Sequence, residues 1–381
     1  MDTVYKDIKN CCGCALCEDI CPKNAISMSF SDGFSYPVID KSLCINCGLC
    51  EKKCPFNKEK ISDSNCLEAF AVKHKNEDVI TGSSSGGIFT ALSDKILSEN
   101  GAVIGAMFNE NMDVVHRAAQ STAERDKMRG SKYIQSDTSG IYTEIRELLK
   151  EGKEVLFTGT PCEAAAVRAA FPDEDNLYII DIICHGVPSP EVWKSYVAFI
   201  EKHFEKKLTD YSFRDKEVTG WRSYGAKLTF SDGTTEKHGD ITGSFIELFR
   251  YDVCMRPSCT VCPFTSLHRQ GDITIGDFWG IENVLPDFSD NKGISAVMLN
   301  TKKGKRLFDS VSESITAVSV TQGDIAKKQP NLSHPSSFSN KREAFQQDLK
   351  IMPFEKVLKK YTRVGAKRRL IDEAKKLLGR A

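Results

Sequence analysis

Eight of the fifteen cysteines form two copies of one spacing near the start of the chain. In each copy, three cysteines follow one another at intervals of three residues, and a fourth comes four residues later, directly before a proline. Three thiolates at this interval wrap one face of a four-iron cubane, and the fourth reaches the neighbouring cubane. We therefore predict two 4Fe-4S clusters, the first held by Cys11, Cys14, Cys17 and Cys54 and the second by Cys44, Cys47, Cys50 and Cys21.

Other uses of these cysteines fit the spacing less well. A zinc site takes four ligands, usually arranged in pairs, and would leave half of the set unused. Disulfides need an oxidising compartment, and the sequence begins with no signal peptide, so we expect a reducing cytoplasm. Cys12 breaks the interval of three and Cys66 lies outside both copies, so we predict that neither is a ligand.

A second set of cysteines lies far from the first in the chain. Cys162 and Cys184 each follow a predicted strand, where open α/β sheets place their ligand-binding loops. Cys259 and Cys262 form a pair with two residues between them. Four such thiols can hold a cubane or a zinc ion, and buried cysteines without a metal are the third alternative. We predict a metal site, with a third 4Fe-4S cluster as its occupant.

Small residues fill the segment from Thr81 to Thr90, which opens onto a predicted helix with one apolar face. Free amides at the positive end of a helix dipole are a common site for phosphate. An ordinary N-cap accounts for the same residues, so both interpretations stay open. A second polar loop, 129–137, contains Lys132 and Tyr133. Such loops after strands would suit a flavin or a dinucleotide, although neither has the GxGxxG pattern.

The elements that must position these residues divide the chain into three predicted domains. Residues 1–60 form an α+β ferredoxin-like module, so small that cluster ligation must supply much of its folding energy. Residues 66–300 alternate strands with helices, which predicts an α/β domain with a mixed sheet and an inserted β-meander or hairpin at 208–240. Residues 301–381 are predicted to form a helical, basic C-terminal region.

Composition argues against several classes of protein. Lys plus Arg equals Asp plus Glu at 52 each, so no overall field favours nucleic acid. No apolar run reaches the ~18 residues that a membrane span needs. Charge is unevenly spread, because residues 341–381 hold 13 basic and 5 acidic residues, a surplus of 8. A solvated helix face is the simpler explanation of this tail, and a docking surface for an acidic partner is the alternative.

Six further motifs occur in the order expected of one known family. The chain resembles the coenzyme F420 hydrogenase/dehydrogenase beta-subunit family over residues 1 to about 300, in the bacterial-type branch that carries an N-terminal two-cluster ferredoxin domain. The motifs that carry the resemblance are GSSSGGIFTAL, GSKYIQSD, GTPCE, ICHGVPSP, RPSCTVC and DITIGDFWG.

The resemblance implies an iron–sulfur flavoprotein whose FAD exchanges a hydride with a deazaflavin while its clusters relay single electrons. It also implies one flavin-phosphate loop at 84–90, a second flavin loop at 132–133, and cluster ligation by the second cysteine set. Cys254 has no counterpart in the family's deazaflavin-using subunits, and whether it serves as a substitute ligand stays open. The implied flavin contacts are Ser84, Ser85, Gly86, Gly87, Thr90, Lys132 and Tyr133, and the implied ligands of the third cluster are Cys162, Cys184, Cys259 and Cys262.

We therefore predict a cytoplasmic flavin-dependent oxidoreductase. It would pass electrons between a hydride carrier, coenzyme F420 or another, and a redox partner protein or small electron carrier, through FAD and 4Fe-4S clusters. Two alternatives stay open: a non-catalytic electron-transfer subunit, and a redox enzyme of a surface-polysaccharide pathway. The sequence identifies no catalytic residue, no electron donor or acceptor, and no oligomeric state.

Overall fold

The computed structural model describes residues 4–61, 63–172, 174–217 and 220–364. Its strands are β1 (Ile26–Ser31), β2 (Phe34–Ile39), β3 (Glu68–His74), β4 (Ala102–Phe108), β5 (Val114–Ala119), β6 (Val155–Gly159), β7 (Leu177–Ile182), β8 (Leu208–Ser212), β9 (Lys227–Phe230), β10 (Thr235–Lys237), β11 (Ile273–Asp277), β12 (Ser295–Leu299) and β13 (Ile315–Val320). Its α-helices are α1 (Leu16–Asp19), α2 (Leu49–Lys53), α3 (Glu77–Thr81), α4 (Ile88–Ser98), α5 (Thr122–Asp126), α6 (Ile141–Lys150), α7 (Pro161–Ala170), α8 (Pro190–Phe204), α9 (Ser244–Arg250), α10 (Lys302–Asp309), α11 (Gln322–Ala326), α12 (Arg342–Ile351) and α13 (Phe354–Tyr361).

The N-terminal module is a β-hairpin with one short helix in each copy of the cysteine spacing. β1 and β2 pair antiparallel, with Ile26 opposite Ile39. α1 and α2 each begin after a residue in the left-handed region, Ala15 at φ 57° and Gly48 at φ 71°. These two residues directly follow the second cysteine of their copies. The two copies therefore make the same backbone turn at the same place.

The second domain is built on an eight-stranded mixed sheet in the order β13-β3-β12-β11-β7-β6-β4-β5. β7 is parallel to β6 and to β11, and β6 is parallel to β4. β12 is antiparallel to both β11 and β3, so β3 points the same way as the parallel set. The carboxyl ends of β3, β11, β7, β6 and β4 therefore meet at one edge, where open α/β sheets bind their ligands.

Helices cover both faces of this sheet. α4 and α10 pack on one face, where Leu92 and Phe308 join one buried apolar cluster. α6 and α7 pack on the other face around Ile145 and Val167. Helix α1 of the N-terminal module joins this second cluster through Leu16, which is 1% exposed. The ferredoxin-like module therefore docks on the side of the sheet that carries α6 and α7.

The smaller sheet and the C-terminal helices form another layer. β8, β9 and β10 make a three-stranded antiparallel sheet, which confirms the meander predicted at 208–240. α8, α9, α12 and α13 share one apolar cluster with it, around Trp193 and Phe245. Together with the mixed sheet, this arrangement confirms the predicted fold class of an α+β module followed by an α/β domain.

The C-terminal region contributes a strand as well as helices. β13 pairs antiparallel with β3 at the edge of the large sheet, with Val318 opposite Ala71. Its sequence, rich in β-branched residues, suits such an edge strand. The part of the predicted basic tail at 365–381 lies outside the described residues. Within the described ranges, no helix is both long enough and apolar enough to cross a membrane.

Candidate iron–sulfur and cofactor site

An inner cavity of about 370 Å³ lies between the two halves of the N-terminal module. Cys11, Cys14 and Cys17 from the first copy line it together with Cys54 from the second copy. Burial raises the pKa of Cys17, and the neighbouring thiols, Cys54 among them, raise it further. The four predicted ligands of the first cluster therefore share one cavity.

An outer cavity of about 430 Å³ lies in the other half of the module. Its lining includes Cys21 from the first copy and Cys44, Cys47 and Cys50 from the second. Cys47 is exposed and the adjacent Ile45 is 57% exposed, so this cavity reaches the protein surface. The fourth cysteine of each copy thus faces the cavity of the other copy, as expected for the two-cluster spacing.

A third cavity of about 500 Å³ lies at the carboxyl edge of the large sheet. Cys162 is the second residue of α7, directly after β6, and Cys184 follows β7 by two residues. β6 and β7 are neighbouring parallel strands, so their carboxyl ends lie side by side. Cys259 and Cys262 come from a 3-10 turn at Pro257–Val261 and the residue after it, and all four thiols line the cavity.

Burial raises the pKa of thiols in the third cavity, to about 12 for Cys259 and Cys262 and well above the ordinary value for Cys184. A metal there must displace the protons of these three thiols. Within the described residues, no three His, Cys, Asp or Glu side chains are grouped closely enough to hold a single ion. Four thiols around one cavity match the ligand set of a cubane, whereas a single zinc ion would need all four thiolates within about 2.3 Å of it.

The remaining cysteines occupy three different environments. Cys254 is 3% exposed within the apolar cluster of α8 and α9, and its carbonyl accepts a hydrogen bond from the Ser189 amide. The thiol of Cys66 donates to the carbonyl of Glu68 at 3.3 Å. Cys12 is 9% exposed and lines both the inner and the third cavity. It therefore forms a common wall of two cavities, a position that the sequence did not predict.

The predicted flavin-phosphate loop packs tightly against the sheet. α4 begins after Gly87, whose φ of 87° lies in the left-handed region. A Cβ atom on Gly86 would lie 2.2 Å from the carbonyl oxygen of Val72, and the Gly86 amide donates to Ser295 Oγ at 3.0 Å. The close approach of β3 and β12 therefore requires a glycine here, and this amide already has a partner.

Other groups of the two predicted flavin loops fit an anionic ligand better. Among the described residues, the buried Thr90 Oγ1 and Arg129 Nε have no hydrogen-bond partner. Burial lowers the pKa of Lys132 to about 8, and its ammonium donates to the backbone carbonyls of Lys127 and Arg129. The Ser131 amide donates to Ser84 Oγ at 2.8 Å, which joins the two loops. These groups could serve the phosphates of FAD, whereas the Gly86 amide is already engaged.

Tyr133 contacts a cluster of aromatic and charged side chains that the sequence did not predict. Its ring stacks on Phe249 at 4.9 Å, and its hydroxyl accepts a hydrogen bond from Arg214 at 3.3 Å. Arg214 is 4% exposed, pairs with Asp277 at 2.9 Å, and lies 5.2 Å from the ring centre of Trp279. Burial raises the pKa of Tyr133 to about 12. The closeness of Asp277 and Trp279 in the sequence was the one available signal, because Arg214 lies far away in the chain.

Comparison with known proteins finds a match for the N-terminal module and another for the α/β domain. Residues 152–322 match the family described as the C terminus of the coenzyme F420 hydrogenase/dehydrogenase beta subunit, and residues 10–58 match the 4Fe-4S dicluster domain. A chain of the xenon-derivatised F420-reducing NiFe hydrogenase complex from Methanosarcina barkeri is similar at 17% identity, over 77% of this chain and 96% of that chain, with a TM-score of 0.48. No curated protein matches the sequence.

Proposed function

We propose that the chain passes electrons between a hydride carrier and a redox partner as an iron–sulfur flavoprotein. The premise is that it is a member of the coenzyme F420 hydrogenase/dehydrogenase beta-subunit family with an N-terminal 4Fe-4S dicluster domain. The family places it among oxidoreductases, and the dicluster domain supports iron–sulfur clusters in the module. FAD, the third cluster and the carrier, coenzyme F420 or another, are our proposals beyond that.

The observation that carries the proposal is the contiguity of the three cavities. Cys12 lines the third and the inner cavity, so these two cavities share a wall. The inner and outer cavities are linked in turn, because Cys17 and Cys21 contact one small apolar cluster with Cys44 and Cys50. The row runs from the sheet edge to the exposed Cys47. Such a row suits single-electron transfer across the molecule.

The flavin would lie on the sheet side of this row. Tyr133 stacks on Phe249, whose ring contacts His185 edge-on at 5.3 Å, and His185 lines the third cavity. Bound FAD would supply the exchange between a two-electron hydride and the single electrons that a cubane accepts. Lys132 would hold positive charge beside its phosphates, and Thr90 Oγ1 would donate a hydrogen bond to them.

FAD binding tests the flavin proposal directly. The chain, purified without air and with its iron content measured, is titrated with FAD by equilibrium dialysis. Lys132→Met should weaken binding at least about tenfold, because a charge-assisted contact to phosphate is lost. Lys127→Met, which removes an exposed lysine near the same loop, is the matched control and should bind as wild type does. A wild-type chain that binds no FAD at micromolar concentration contradicts the flavin proposal.

A non-catalytic electron-transfer subunit is the second candidate, and the outer cavity favours it. The apolar side chains of Leu43 and Ile45 are 49% and 57% exposed beside this cavity, where a protein partner would meet the module. A chain that oxidises reduced coenzyme F420 with an artificial acceptor alone is an enzyme, whereas a chain that needs a second protein is a subunit.

All fifteen cysteines are unpaired, and we propose a reducing cytoplasm as the location of the protein.

A further inference from the structure

Arg256 is a buried arginine at the contact between the module and the α/β domain. It precedes Cys259 by three residues and is 1% exposed. Its Nε donates to the carbonyl of Cys11 at 2.8 Å, and its Nη2 lies 3.7 Å from Cys11 Sγ. Nη1 donates to Gln135 Oε1 at 2.7 Å, and Nη2 also donates to the Ser35 carbonyl at 2.9 Å. The α/β domain thus places a cation against a predicted ligand of the inner cavity.

The first cysteine copy is shaped to accept this guanidinium. Gly13 has a φ of 72°, and a Cβ atom there would lie 2.8 Å from Arg256 Nη1 and 2.7 Å from Gln135 Nε2. The ring of Tyr36 lies 4.3 Å from the guanidinium carbon and adds a cation–π contact. Both the backbone of the module and one of its rings therefore fit an arginine at this position.

The hydrogen-bond partners of Arg256 leave its charge unbalanced. Among the described residues they are two backbone carbonyls, one side-chain amide oxygen and the Cys11 thiol, none of which carries a formal charge while the thiol is protonated. A buried cation is costly unless an anion balances it. A cubane held by four thiolates is such an anion, so a cluster in the inner cavity would supply the missing negative charge.

We propose that Arg256 raises the reduction potential of the inner cluster above that of the outer cluster. The inference rests on the proposed function, since it requires both clusters of the module. Net charge and hydrogen bonds to sulfur are among the factors that set a cluster potential, and a nearby cation favours the more negative reduced state. Lys23 beside the outer cavity is exposed, so water and salt screen its charge.

The test is an anaerobic redox titration followed by EPR on the full reconstituted chain. A soluble dysprosium chelate identifies the outer cluster, because Cys47 is exposed and the paramagnetic ion broadens the nearby signal. In Arg256→Gln, the equilibrium constant for moving an electron from the outer to the inner cluster should fall at least tenfold, about 59 mV for a one-electron couple. The outer potential serves as the internal control and should not move.

Further variants separate the charge of Arg256 from its structural role. Arg256→Lys keeps the charge and should restore most of the difference in potential. Gln135→Glu places a carboxylate beside the guanidinium and should lower the reduction potential of the inner cluster. This variant still tests the inference if Arg256→Gln loses its iron. Arg125→Gln removes another buried arginine, one that pairs with Asp94 at 2.7 Å, and should leave both potentials unchanged.

Three outcomes would overturn the inference. The first is an unchanged inner-cluster potential in an Arg256→Gln chain that keeps its iron. If Arg256→Gln loses its iron, an unchanged inner-cluster potential in Gln135→Glu counts in its place. Equal inner and outer potentials in the iron-replete wild type would overturn this inference alone. A wild-type chain that binds no iron in the module would overturn it together with the proposed function.

Discussion

The cysteine cavities and the serine–glycine loop at 84–90 are two kinds of candidate site, and they differ in how far the sequence alone identifies them. In the cavities the chemistry belongs to side chains, and the left-handed turns at Ala15 and Gly48 repeat with the cysteine spacing. In the loop the candidate chemistry belongs to backbone amides. Gly86 also has a packing role there, since any side chain would meet the Val72 carbonyl.

The difference teaches which motifs are diagnostic before a structure is known. Few structural roles require eight thiols at fixed intervals, so the spacing points to chelation. A glycine before a helix has two independent explanations, ligand approach and close packing of the backbone, and the sequence does not separate them.

The largest effect is expected at the third cavity, whose cysteines follow no repeat. Changing Cys259 and Cys262 together to Ser should remove about four of about twelve irons per chain after anaerobic reconstitution, because serine is a poor ligand for a cubane. Cys254→Ser, at a buried cysteine of an apolar cluster, is the control and should keep all the iron. Unchanged iron in the double variant, or one zinc ion per wild-type chain at this site, would contradict the prediction.

A smaller effect is expected in the loop, from Gly86→Ala. The new Cβ would lie 2.2 Å from the Val72 carbonyl, and overpacking of this kind costs about 1–3 kcal/mol, so the melting temperature should fall by several degrees. Gly323→Ala in α11, whose nearest atom would be Thr321 Oγ1 at 3.6 Å, should be neutral or slightly stabilising. A Gly86→Ala chain that melts like wild type but loses FAD would show that the glycine serves a ligand.

The features predicted from sequence are those that local chain geometry determines. The ferredoxin-like module and the cysteines after β6 and β7 follow from spacing and from the strand–loop pattern. Arg256 and Arg214 could not be found in this way. Arg256 reaches Cys11 across 245 positions, and the pairing of β13 with β3 likewise depends on docking between distant segments. Such contacts have no periodicity within a short window of sequence.

The anchoring of the loop can be tested at Lys216, whose ammonium donates to the carbonyls of Ile80, Ser85 and Lys292 at 2.5, 2.9 and 2.7 Å. Lys216→Met leaves these carbonyls without that donor, and we expect a loss of about 1–3 kcal/mol, read as a lower melting temperature near pH 8. An equal melting temperature in the two proteins would exclude this anchoring role. Lys292→Met, which removes an exposed lysine, is the control.

The same pair of proteins gives a pH dependence. Burial lowers the pKa of Lys216 to about 8 from its ordinary value of about 10.4. Between these two values the unfolded chain binds more protons than the folded chain, so this lysine makes stability rise with pH. The advantage of wild type over Lys216→Met in melting temperature should therefore grow from pH 8 towards pH 10. A constant or shrinking advantage would contradict the lowered pKa.

The smallest effect is expected at Cys12, which tests the register of the first cysteine copy. Cys12 lies between the inner and the third cavity, and its thiol contacts those of Cys14 and Cys162. Because the interval of three begins at Cys11, Cys12→Ala should keep all the iron and lose only a small amount of buried packing. Cys11→Ala should lose about four irons. If Cys12→Ala loses iron and Cys11→Ala does not, the first ligand is Cys12 and not Cys11. Arg256 would then contact a thiol that is not a ligand.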